Sequence, residues 1–115
     1  MTDTSYVNTI HEGNNKARDL VKKHKVLVVG VSWAAGFAEI VADAKKAYPD
    51  TFVVEFDKLD NALDKLELQK SFRNITDHCV TPDIFVNGKD LGTSEEIFEL
   101  QRAGKLSETI KKALV

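Results

Sequence analysis

Hydrophobic positions along the chain follow two periods, and each change of period marks a new element. Ile10, Ala17, Leu20 and Val21 recur at helical spacing and predict a helix over Thr9–Lys23, with Gly13, Asn14 and Asn15 weakening its first half. Lys25–Val31 (KVLVVGV) is short, apolar throughout and rich in β-branched residues, as a central strand covered on both faces requires. The helical period returns at Phe37, Ile40, Val41 and Ala44, and this helix must end before Pro49. Thr51–Phe56 reads as a second strand, and Leu63, Leu66, Leu68, Phe72 and Ile75 predict an amphipathic helix over Asn61–Ile75. Asp83–Val86 and Lys89–Leu91 read as strands joined by Asn87-Gly88, a dipeptide that tolerates positive φ at both positions of a two-residue hairpin. Ser94 stands where it would cap a helix with Glu95 and Glu96 in its first turn, continuing through Ile97, Phe98, Leu100 and Gln101 to Gly104. Leu106, Ile110 and Leu114 line a last helix.

The order αβαβα followed by ββαα is informative in itself. A crossover helix joins the first two strands, which are therefore expected parallel, and the last two form an antiparallel hairpin. The expected fold class is α/β: a four-stranded mixed sheet flanked by helices on both faces, the thioredoxin-like arrangement. Composition narrows the picture. The chain has 115 residues, 43% hydrophobic and 30% charged, which suits a single domain over 1–115 with its own core. A net charge of −2 provides no general basic field, so no nucleic acid and no membrane surface is expected as a partner. Met1–Lys25 is polar, unlike a secretory signal, and Val26–Ala38 is broken by Gly30, Ser32 and Gly36 and is too short to span a bilayer. A cytoplasmic monomer is the expectation. The one cysteine, Cys79, cannot form an internal disulfide, and with three scattered histidines no metal site is expected.

The stretch Ile75-Thr76-Asp77-His78-Cys79-Val80-Thr81-Pro82-Asp83-Ile84-Phe85-Val86-Asn87-Gly88-Lys89-Asp90-Leu91-Gly92 resembles the second half of a glutaredoxin, a family that reads T-G-x-x-T-V-P-x-I-F-I-N-G-K-x-I-G-G there. The acidic pair Glu95-Glu96 and the ending Leu100-Gln101-Arg102-Ala103-Gly104-Lys105-Leu106 extend the resemblance, which covers about residues 10–115. Separately these pieces are weak; together, at these spacings, they are specific. The implied fold is the thioredoxin-like (glutaredoxin) fold.

The departure falls where the family's chemistry is. Glutaredoxins carry C-P-x-C or C-G-F-S just after the first strand, whereas this chain reads Val31-Ser32-Trp33-Ala34-Ala35-Gly36-Phe37-Ala38. One register puts Ala34 at the nucleophile and Phe37 at the resolving cysteine; the other puts Ala35 at the nucleophile. The first is preferred because it places Ile40, Val41 and Ala44 at the family's buried helix positions. Neither register holds a thiol. Thiol–disulfide exchange begins with a thiolate, activated in this family at a helix N-terminus, and alanine offers nothing to activate. The resemblance therefore implies an oxidoreductase frame without its nucleophile and, for the same reason, without the thiolate that would hold an iron–sulfur cluster.

The family's glutathione groove is implied in part. Thr81-Pro82 matches the family's cis proline and the residue before it, whose backbone bonds the cysteinyl part of glutathione. Ser94 and Glu95 match the helix start that takes the γ-glutamyl end, where backbone N–H groups suit an anion. Gln69 matches a glutamine that meets the glycyl carboxylate, or is simply a surface residue of its helix. The family's lysine before the motif is Val31 here, which removes one charge-assisted contact. The expected ligand is glutathione, held weakly, or a protein or peptide ligand. The expected function is a glutaredoxin-like protein lacking the redox cysteines and inactive in exchange. The alternative is a Cys-to-Ala or otherwise altered variant of an active glutathione-dependent thiol–disulfide oxidoreductase, although Phe37 counts against a plain double Cys→Ala change.

The remaining candidates have plain readings. Cys79, beside His78 and Asp77, reads as an incidental loop cysteine. Trp33 is either an exposed aromatic at the mouth of the site or a core anchor. His11 and His24 read as isolated and solvated, and Asp57–Asp64 as a solvated loop and helix start. Lys22-Lys23-His24-Lys25 reads as the basic end of a helix complementing its dipole.

Overall fold

A computed structural model describes residues 17–59, 62–75 and 82–115. The described part of the first helix, α1, is 17–23. It is followed by β1 (Val26–Gly30), α2 (Phe37–Ala47), β2 (Phe52–Glu55), a 3-10 turn (Phe56–Lys58), α3 (Ala62–Ile75), β3 (Asp83–Val86), β4 (Lys89–Asp90), α4 (Ser94–Arg102) and α5 (Leu106–Leu114). The four strands form one sheet in the order β2-β1-β3-β4. Strand β1 is parallel to β2 and antiparallel to β3, and β3 pairs antiparallel with β4. This is the expected mixed sheet, with helices on both faces.

The continuous apolarity of β1 is explained by its place in the sheet. Every residue of β1 is buried, and alternate side chains enter two separate cores. Val26 and Val28 join Ile84 and Val86 under Phe37, Ile40 and Ala44 of α2, Ile97 of α4, and Leu106 and Ile110 of α5. Leu27 and Val29 face the other way, with Phe85, Val54 and Phe56, against Ala17 and Val21 of α1 and Phe72 of α3. Phe72 meets Phe56 edge-on at 6.1 Å between centroids and Phe85 at 5.7 Å, arrangements that aromatic pairs favour. On this side Ser71 accepts a 3.1 Å bond from the Ala17 N–H, tying α3 to α1.

Several element ends differ from the expectation. Thr51 does not extend β2; its hydroxyl turns back to the Ala44 and Tyr48 carbonyls, at 3.1 and 2.6 Å, and finishes α2. Phe56 enters the 3-10 turn instead of the strand. Leu91 leaves β4, although its N–H still donates to the Ile84 carbonyl at 2.8 Å. Ser94 is not the cap of α4. Thr93 is: its hydroxyl accepts from the Glu96 N–H at 3.2 Å, and the Glu96 carboxylate accepts from the Thr93 N–H at 2.9 Å. His24 is not simply solvated, because its ring stacks on Phe52 at 4.0 Å with the planes 2° apart. The first half of the expected Thr9–Lys23 helix, the Asn61 start of α3, and His11, Asp77, His78, Cys79 and Thr81 lie outside the described residues. The Asn87-Gly88 turn has the expected left-handed backbone, with φ of 52° and 83°.

Candidate functional site

The site is built at the end of the sheet where β1 finishes. Asp83 pairs with Val29 near that end, so the fully buried Pro82, which precedes β3, sits there too. The Leu91 N–H bond to Ile84 carries the chain after β4 back in the same direction, so α4 starts beside it. The loop 31–36 completes the arrangement. Its backbone makes two successive tight turns: the Ala34 N–H donates to the Val31 carbonyl at 3.2 Å, and the Phe37 N–H to the Ala34 carbonyl at 3.1 Å. Gly36 then opens α2 in the left-handed region, φ 84°, with no side-chain cap. A Cβ on Gly36 would also stand 2.9 Å from the Phe98 ring, so the loop and α4 meet through this glycine.

The loop side chains divide sharply. Trp33 is 77% exposed, which makes it an aromatic at the mouth of the site and not a core anchor. Ala35 is exposed, whereas Ala34 is half-buried and packs on the α2-side core. Phe37 is buried in that core. Val31, where the resemblance would place a lysine, is half-buried and packs against the opposite core.

A link absent from the sequence reading holds this loop. Asp57, in the 3-10 turn after β2, accepts the Ser32 N–H at Oδ1, 2.8 Å, and the Ser32 hydroxyl at Oδ2. Asp57 is therefore a clamp on the loop and not part of a purely solvated segment. The Ser32 hydroxyl first, and its N–H second, hold the Asp57 carboxyl below the usual carboxylate range, with Lys58 helping and desolvation opposing. Because the folded-state value is depressed, the clamp's contribution is fully present above the unfolded carboxylate range. It is lost as pH falls through the folded value. Urea unfolding from neutral to strongly acid pH should therefore show an acid loss of stability that is shallower in Asp57→Asn; equal acid limbs in the two proteins would contradict the clamp.

At the start of α4 the capping box uses the Glu96 N–H, and the Ile97 N–H donates to the Thr93 carbonyl at 3.0 Å. Among the described residues no acceptor meets the N–H groups of Ser94 and Glu95. Ser94 is half-buried and Glu95 exposed. Gln69 lies in the middle of α3, half-buried, and no hydrogen bond joins it to this end among the described residues. The structure thus brings Pro82, Ser94, Glu95 and Ala34–Phe37 to one end, adds Asp57 and Ser32 as a support, and does not tie Gln69 in. Thr81 is outside the described residues. Among those residues no group of histidine, cysteine and acidic side chains is arranged to hold a metal. No helix among them is long and apolar enough to cross a membrane.

No protein-family model matches the chain. A monothiol glutaredoxin S10 of Oryza sativa subsp. japonica is 26% identical over 102 residues, covering 85% of this chain and 61% of that protein. A glutaredoxin C1 of Arabidopsis thaliana is 26% identical over 99 residues, covering 86% of this chain and 77% of that protein. The chain thus spans less than two thirds of the Oryza relative's length. Among solved structures, a buckwheat glutaredoxin–glutathione complex superposes with a TM-score of 0.71 at 19% identity, covering 92% of this chain and 94% of that one, a likeness of fold.

Proposed function

The chain is a relative of the glutaredoxins and has their thioredoxin-like fold, and from that premise we propose that it is a thiol-free member of the group: it performs no thiol–disulfide exchange and holds glutathione, or a peptide ending in similar groups, weakly at the Pro82–Ser94 end. The observation that carries this reading is the loop itself. Residues 31–38 contain no sulfur side chain, and an aromatic ring, not a thiol, is buried at Phe37. The exchange reaction needs a thiolate, and the loop offers none.

The ligand part rests on α4. The Ser94 and Glu95 N–H groups at a capped helix start favour a carboxylate, and Glu95 lies beside them to meet an amine. The match is partial. Val31 contributes packing where a lysine would contribute charge, and glutamate at 95 is one methylene longer than the family's usual aspartate. A protein relative in structure binds glutathione, which supports the choice of probe.

Isothermal titration with reduced glutathione should show binding in the millimolar range, weakened further by Glu95→Ala. No heat at millimolar glutathione would remove the ligand half of the proposal. Turnover of a glutathione mixed disulfide by the unsubstituted protein would remove the other half. A second reading, an altered form of a working oxidoreductase, draws on the Asp57–Ser32 clamp, which keeps the loop's frame in place without a thiol to serve.

A further inference from the structure

The basic run at the end of α1 borders a concave surface far from the loop. Val21, Lys22, His24, Lys25, Asn87 and Gly88 line a groove of about 360 Å³ at the opposite end of the sheet, where β1 begins and the β3–β4 hairpin turns. We infer that this groove binds a small phosphate-bearing ligand, independently of the glutathione reading.

Three observations carry it. The first is charge: among the described residues the lining holds two lysines and a histidine and no carboxylate, in a chain whose net charge is −2. Among the described residues neither Lys22 nor Lys25 has an ion-pair partner. The second is rigidity. The hairpin wall is fixed because Asn87 donates its side-chain amide to the Ala113 and Leu114 carbonyls, at 3.2 and 3.3 Å. Its backbone N–H donates to the Lys25 carbonyl at 2.8 Å. The opposite wall is fixed by the His24 ring stacked on Phe52. A pre-set wall lowers the ordering cost of binding. The third is size: small-molecule sites run from about 300 to 1,000 Å³, and this groove lies within that range.

Neutralising a helix end does not by itself account for the groove. Helices α2 and α5 also end in lysine pairs, Lys45-Lys46 and Lys111-Lys112. The α1 end adds Lys25 from beyond the helix, a pinned aromatic ring and a wall from a second element. Lysine ammonium groups recognise phosphate as point charges and gain from such partial enclosure.

The test uses inorganic pyrophosphate as probe at low ionic strength, followed by amide chemical shifts and calorimetry on the full chain. Saturable shifts at 21–25 and 87–88 are expected, with affinity reduced about tenfold or more in Lys22→Gln/Lys25→Gln and unchanged in Lys45→Gln/Lys46→Gln. The single variants Lys22→Gln and Lys25→Gln give intermediate losses and keep the test available should the double variant fold poorly. Linear, unsaturated shifts spread over all lysines would overturn the inference. So would full affinity in Lys22→Gln/Lys25→Gln, an equal loss in the Lys45→Gln/Lys46→Gln control, or binding to phosphatidic acid vesicles without binding of pyrophosphate.

Discussion

With Ala34 replaced by cysteine, we expect turnover of a glutathione mixed disulfide where the unsubstituted chain gives none, and with Ala35 replaced instead, no turnover. The two positions are neighbours but not equivalent. Ala34 is half-buried against the α2-side core, and its carbonyl accepts the Phe37 N–H, so a side chain at 34 is held in a turn that leads directly into α2. Ala35 is exposed. A thiolate near the start of α2 meets the positive end of the helix, which lowers its pKa and raises the reactive fraction at neutral pH by up to about tenfold. The introduced thiolate would attack the glutathionyl sulfur, forming a mixed disulfide with the protein as the substrate's other thiolate leaves. A second glutathione thiolate would then release the protein thiolate and carry away the product as glutathione disulfide. With Phe37 at the resolving position the loop itself holds no resolving thiol, so the expected route is this single-thiol one. The missing lysine at Val31 predicts a high KM for the glutathionyl substrate. Activity in Ala34→Cys should persist when Cys79→Ser is added. Activity that disappears with Cys79→Ser, or appears equally in Ala35→Cys, would reject the preferred register. Inactivity of both variants would remove the reading of a lightly altered enzyme.

The fold was legible in the sequence because its signals are local or periodic. Val26–Gly30 could be read as a doubly covered strand from five consecutive apolar or small residues, all of which are buried. The hairpin followed from Asn87-Gly88, since few other dipeptides accept positive φ twice. The cap of α4 was misplaced by one residue although the signal was present. Thr93 has Glu96 three positions on, as a capping box needs, whereas Ser94 has Ile97. The Asp57 clamp left no such trace. Ser32 and Asp57 are 25 residues apart, and a carboxylate in a run of mixed charges reads as solvated until the parallel pairing of β1 with β2 brings Gly30 opposite Glu55 and the two following turns together. The stack of His24 on Phe52 was hidden for the same reason: the contact depends on which strand lies at the sheet's edge.

Gly30→Ala should destabilise the protein by about 1–3 kcal/mol, as overpacking of a close-fitting core does, and most of that loss should vanish in a Phe37→Leu background. The added methyl would stand 2.5 Å from Cε1 and 2.9 Å from Cδ1 of the Phe37 ring, inside the closest approach of carbon atoms. Both residues are buried, so neither can give way into solvent. Removing the ring alone is costly as well: Phe37→Ala should lose about 3–5 kcal/mol through the cavity it leaves. Urea midpoints of the two single variants and the Gly30→Ala/Phe37→Leu double variant measure the coupling. Equal costs of Gly30→Ala in both backgrounds would show that the ring is not the obstacle. The expected coupling bears on function, because in the preferred register Phe37 occupies the resolving position. A ring that fits only over a glycine is part of the packing of β1 against α2. Restoring a thiol there by Phe37→Cys would then open a cavity over Gly30 and lower stability, whereas Ala34→Cys adds its sulfur at the half-buried edge of the same core. The second thiol is thus excluded by the way this core is packed, and the first only by the identity of one side chain.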